Sequence, residues 1–120
     1  MTEIVFIYNA KSGFTNSLID WAHKIISPKT YECSLCRITY DNLGKKSEWA
    51  EFLKELKIQS SFLYKDHIVN NNELKNSSLP CVYLRLSDEM NLLITSNEMN
   101  SYKNLNELIL SLRKKLEEFL

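Results

Sequence analysis

Apolar and polar positions alternate along the chain in blocks that read as strands and helices in turn. Ile4-Val5-Phe6-Ile7-Tyr8 is an unbroken apolar run, the pattern of a strand covered on both faces. Phe14, Leu18, Trp21, Ala22, Ile25 and Ile26 then recur at three- and four-residue steps, which predicts a helix that stops before Pro28. Leu35 to Tyr40, rich in β-branched and aromatic residues, reads as a second strand, and Asp41-Asn42-Leu43-Gly44 as a turn. Ser47 is placed to cap a helix whose apolar stripe is Trp49, Phe52, Leu53 and Leu56. Phe62-Leu63-Tyr64 fits a short strand or a helical turn, and Asn70 to Ser78 is a polar loop. Cys81 to Leu86 and Asn91 to Thr95 read as a hairpin joined through Ser87-Asp88-Glu89. Asn104, with Glu107 three residues on, opens a last helix along Leu105, Leu108, Ile109, Leu112, Leu116 and Phe119.

The order β-α-β-α-β-β-α predicts a single α/β domain over residues 1–120, thioredoxin-like, with a mixed four-stranded sheet. Right-handed crossover sets the first two strands parallel and adjacent, and the hairpin adds antiparallel strands on the other side. Leu79-Pro80 precedes the third main strand. In thioredoxin-like proteins a cis proline stands there and faces the first turn, here Ser12 to Thr15. The N-terminal third also resembles the DCC family of putative thiol-disulfide oxidoreductases, whose opening runs roughly Y-D-G-x-C-x-x-C-N. This chain has Tyr8-Asn9-Ala10-Lys11-Ser12-Gly13-Phe14-Thr15-Asn16. Tyr8 and Asn16 match, and Gly13-Phe14 fills the variable pair. Ser12 and Thr15 replace both thiols, so the resemblance supports the fold and removes the family's chemistry from that turn. Ser12 reads as a helix cap there. Iron–sulfur ligation is excluded because the required cysteine is Ser12.

Composition narrows the function classes. Fifteen basic and fifteen acidic residues among 120 give zero formal charge, and no long basic run argues for nucleic acid or an anionic membrane as partner. Neither a basic leader nor an apolar stretch of membrane-spanning length is seen, so a cytoplasmic protein is expected. Three cysteines, an odd number, then suggest thiols or metal ligands rather than a disulfide framework.

The chemistry-bearing cluster is Cys33-Ser34-Leu35-Cys36. With Leu35 to Tyr40 as a strand, strand direction gathers His23, Cys33 and Cys36 at the pole opposite Ser12 and Pro80, while Cys81 belongs at the Ser12 pole. Two thiolates and an imidazole suit zinc, with His67 or Asp20 as a fourth ligand, or Asp88 or Glu89 from the hairpin. A metal-binding, thioredoxin-like protein lacking the usual active-site thiols is therefore the leading expectation. The first alternative is a thiol-disulfide oxidoreductase working through Cys33 and Cys36. On this reading no helix terminus serves Cys33, so its thiolate needs His23 or Lys24 nearby. The second alternative is a non-catalytic binding or scaffold domain with incidental cysteines.

Overall fold

The structure is a computed structural model that describes residues 2–11, 33–41 and 44–119. In chain order its elements are β1 (Thr2–Tyr8), α1 (Ser34–Thr39), β2 (Tyr40–Asp41), β3 (Gly44–Lys45), α2 (Ser47–Glu55), β4 (Gln59–Tyr64), β5 (Cys81–Leu86), β6 (Glu89–Ile94), α3 (Ser96–Ser101) and α4 (Leu105–Phe119). The four-stranded sheet has the order β4-β1-β5-β6. β1 runs parallel to β4, with Glu3 opposite Gln59 and Tyr8 opposite Tyr64. It runs antiparallel to β5, with Thr2 opposite Leu86 and Ile7 opposite Cys81. This one parallel pair beside an antiparallel hairpin is the expected mixed sheet, compatible with a thioredoxin-like layout.

Alternation along β1 sorts the core into two layers. Ile4, Phe6 and Tyr8 join the larger core with Trp49, Phe52, Leu108 and Leu112. Val5 and Ile7 point the other way, into a smaller cluster with Ile68, Leu74 and Cys81. Aromatic rings cement the larger layer. Phe6 meets Trp49 edge-on at 5.3 Å and stacks on Phe62 at 5.2 Å, and Tyr8 continues the stack onto Phe62 at 6.0 Å. Such pairs contribute roughly 0.5–1.5 kcal/mol beyond the area they bury.

The strand beside β1 is not the one expected. Leu35 to Tyr40 does not enter the sheet; Ser34–Thr39 is a helix, and Gln59–Tyr64 takes the parallel position. Cys33 and Cys36 explain the change. They are disulfide-bonded with Cα atoms 5.3 Å apart, whereas three residues of strand span about 10 Å. Once the pair closes, the backbone between them must turn. The Thr39 hydroxyl then donates to the Leu35 carbonyl at 2.6 Å, which satisfies that β-branched residue inside a helix.

Two further features escape the hydrophobic pattern. Asn70 to Ser78 is not a bare polar loop, because Ile68 and Leu74 are buried against the smaller cluster, and Asn71 Oδ1 accepts from the Glu73 and Leu74 amides. The short helix α3 carries a full capping box. Thr95 Oγ1 accepts from Glu98 N at 3.1 Å and Glu98 Oε1 accepts from Thr95 N at 3.0 Å. The T-x-x-E spacing was the available signal. The last helix starts as expected, with Asn104 Oδ1 accepting from Glu107 N at 3.0 Å. Leu79-Pro80 is cis, as its place before the third main strand predicts. No helix among the described residues is long and apolar enough to cross a membrane.

The burial pattern of α4 yields a paired test. Leu108 is fully buried and Leu110 is 58 % exposed. Leu108→Ala is expected to cost about 2–5 kcal/mol in urea unfolding, and Leu110→Ala no more than about 0.5 kcal/mol. Equal losses would mean that α4 packs by another face.

Stability should also depend on pH through Glu98. The hydrogen bond from Lys115, followed by that from the Thr95 amide, holds its carboxyl below the ordinary value. A depressed folded-state pKa contributes stability that is complete above the unfolded value and lost as pH falls through the folded one. Glu98→Gln should flatten that part of the acid limb in a pH series of unfolding curves.

Candidate functional site

Cys33 and Cys36 sit at the two ends of the first turn of α1. Cys33 is the N-cap, in extended conformation, and its Sγ accepts from the Cys36 amide at 3.2 Å. Its carbonyl accepts from Arg37 N at 3.1 Å, so both its side chain and its backbone close the helix start. A helix opening therefore does serve Cys33, contrary to the expectation drawn from a strand. With only six residues the macrodipole is small; the directed N–H is the stronger influence on the sulfur.

The disulfide lies inside the larger core. Cys33 is 2 % exposed and Cys36 fully buried, in one cluster with Leu35, Ile38 and Tyr40. The Tyr40 amide donates to the Cys36 carbonyl, and the Tyr40 ring lies 6.1 Å from that of Tyr8. Tyr8 ends β1, so α1 runs into the end of the sheet from which β1 leaves. The strand from which the opposite pole was inferred is absent, because this segment is a helix. Burial, reinforced by Tyr40 and Tyr64, pushes the Tyr8 phenol far above its ordinary range. Between the cysteines, Ser34 donates from Oγ to Asn100 Oδ1 on α3 at 2.7 Å. Neither Ser34 nor Asn100 was singled out by the sequence pattern, because their pairing depends on α3 lying against α1.

The expected metal centre is overturned. The sulfurs of Cys33 and Cys36 are bonded to each other, and a metal binds thiolates, not a disulfide. Among the described residues no group of three or more His, Cys, Asp or Glu side chains is arranged to hold a metal ion. His67, a suggested fourth ligand, is exposed just past β4. Its Nδ1 accepts from the Tyr64 amide at 3.1 Å, and its ring stands edge-on to that of Tyr64. Asp88 and Glu89 lie at the β5–β6 turn, where Glu89 pairs with Leu86 and Leu86 pairs with Thr2. That is the end of the sheet away from Tyr8. His23 and Asp20, and the turn residues Ser12 and Thr15 expected to face Pro80, lie outside the described residues.

Cys81 is separate from the pair, as expected, because it packs in the other core cluster, on the opposite face of the sheet. It sits on the smaller core cluster beside Ile7, with its thiol pushed up to about 12 by burial.

Comparison with protein-family models, with curated proteins and with solved structures gives no match. What the site can do must be read from its own chemistry. The arrangement holds a buried disulfide at C-x-x-C spacing, with an amide aimed at one sulfur and a neutral thiol kept apart.

These placements predict a thiol inventory. Native oxidised protein should resist rapid alkylation, since Cys33 and Cys36 are bonded and Cys81 is buried and protonated. Denaturation without reductant should expose one reactive thiol, and denaturation with reductant three. Two or more fast-reacting thiols in oxidised native protein would contradict the assignment. Opening a ring of this size should cost the fold about 2 kcal/mol in chain entropy, visible as a lower Tm in reductant.

Proposed function

We propose that this domain is a thiol-disulfide redox protein whose Cys33–Cys36 pair cycles between disulfide and dithiol. The observation that carries the reading is the disulfide itself, at C-x-x-C spacing with the Cys36 amide directed at Cys33 Sγ. On reduction, that N–H favours the charged form of Cys33 over that of Cys36 and makes Cys33 the nucleophile. The Cys33 thiolate attacks a substrate disulfide, whose S–S bond breaks as one substrate thiolate leaves. A mixed disulfide on Cys33 remains. The Cys36 thiolate then attacks the Cys33 sulfur, the mixed disulfide breaks, and the second substrate thiolate departs. Two electrons pass to the substrate, two thiol protons are released, and the Cys33–Cys36 bond re-forms.

Burial sets the tempo of this exchange. Neither sulfur is open to an incoming disulfide in the closed state, so exchange requires α1 to lift. Local opening of a six-residue helix costs less than global unfolding, which suits slow, selective exchange.

A redox titration tests the proposal. Protein equilibrated in thiol–disulfide buffers should convert with an apparent potential between about −270 and −120 mV. Cys33→Ser should abolish reduction of a disulfide substrate. Cys36→Ser should trap the mixed disulfide on Cys33. A potential below about −300 mV would assign the bond a structural role, and full activity in Cys33→Ser would remove the mechanism.

A further inference from the structure

A second site lies beside the redox pair and uses none of its sulfurs. Where α1, α2, α3 and α4 meet, a cleft of about 460 Å³ is lined by Arg37, Lys46, Asn100, Tyr102, Lys103 and Asn104. Its three charged side chains are all cations, and they come from three places in the chain. Arg37 is in the last turn of α1, Lys46 precedes α2, and Lys103 lies between α3 and α4. Elsewhere in the molecule Arg85, Arg113 and Lys115 each pair with a carboxylate. Arg37, Lys46 and Lys103 have no such pairing among the described residues.

We propose that this cleft binds a small phosphate monoester. Three like charges gathered around one concavity repel one another, and an anion relieves that repulsion as no neutral ligand does. A phosphate monoester carries close to two negative charges at neutral pH and offers three strong acceptor oxygens. That matches a planar guanidinium, two ammonium groups and the neighbouring Asn100 and Asn104 side chains. The cleft is wide enough to admit the organic part of a small ester as well.

Backbone dipoles do not decide the matter. α2 and α4 begin at the cleft, while the short helices α1 and α3 end there, so their terminal partial charges largely offset one another. Three acids lie close in sequence but outside the lining, Glu48 in the first turn of α2, Glu98, which pairs with Lys115, and Glu107. Glu107 Oε1 accepts from the Lys103 backbone amide at 3.3 Å, so it caps α4. The side-chain cations therefore set the sign of the cleft. The site does not depend on the redox reading.

Calorimetric titration at low ionic strength tests the proposal, with inorganic phosphate, ribose 5-phosphate, citrate and chloride as the added anions. Saturable one-to-one binding of ribose 5-phosphate is expected, with inorganic phosphate weaker and chloride without effect. Arg37→Gln and Lys46→Gln should each weaken binding by about tenfold or more, and the Lys103→Gln variant likewise. Lys114→Gln on the exposed side of α4 should leave it unchanged. Amide spectra of each variant verify that it is folded. Equal loss in Lys114→Gln, unchanged affinity in a folded Arg37→Gln/Lys46→Gln double variant, or binding of citrate in preference to both phosphates would overturn the assignment. So would the lack of any saturable signal.

Discussion

The structure depends on β1 being buried on both faces. Five consecutive residues, Ile4 to Tyr8, have almost no contact with solvent, so every backbone N–H and C=O of that stretch must find a partner inside the protein. A parallel strand on one side and an antiparallel strand on the other supply those partners. The side chains then demand two separate covers, one for Ile4, Phe6 and Tyr8 and another for Val5 and Ile7. Helices α2 and α4 contribute to the first cover, and the turns carrying Ile68 and Leu74 to the second. The crossover that brings the chain back to a parallel neighbour is where the cysteine pair sits. Thus the cysteine pair is placed by the demands of the central strand.

Much of this plan was legible in the sequence. The five-residue apolar run, the stripes of α2 and α4 and the β5–β6 hairpin follow from periodicity and turn chemistry, which act over a few residues, and the cis proline from the thioredoxin-like order of elements. The identity of the strand beside β1 did not. Leu35 to Tyr40 has stronger β character than Gln59-Ser60-Ser61-Phe62-Leu63-Tyr64, and propensity favours the wrong segment. The deciding term is covalent. A bond between Cys33 and Cys36 forbids an extended backbone there, and no hydrophobic pattern contains that term.

The same misreading propagated into the site. With Leu35 to Tyr40 as a strand, the cysteines lay at the far pole, had no helix start, and invited His23 as a third ligand. With the segment as a helix, they gain an amide at Cys33 Sγ and lose the freedom to act as thiolate ligands. The candidates that did survive, Cys33 and Cys36, were visible from spacing alone. Their partner contact, Ser34 to Asn100, spans 66 positions and required the tertiary fold.

A cross-link between residues only three apart has a further consequence. The ring it closes encloses no other element, so making or breaking it acts directly only on the local course of the chain at α1. Oxidation thus cannot lock distant parts of the molecule together, nor can reduction release them. Whatever the bond reports must leave its tight loop through the few non-covalent contacts that α1 makes. Of these, the hydroxyl of Ser34 on Asn100 and the amide of Tyr40 on Cys36 lead outward. Such a bond behaves as a local latch, and a whole-domain clasp would need a partner cysteine far along the chain.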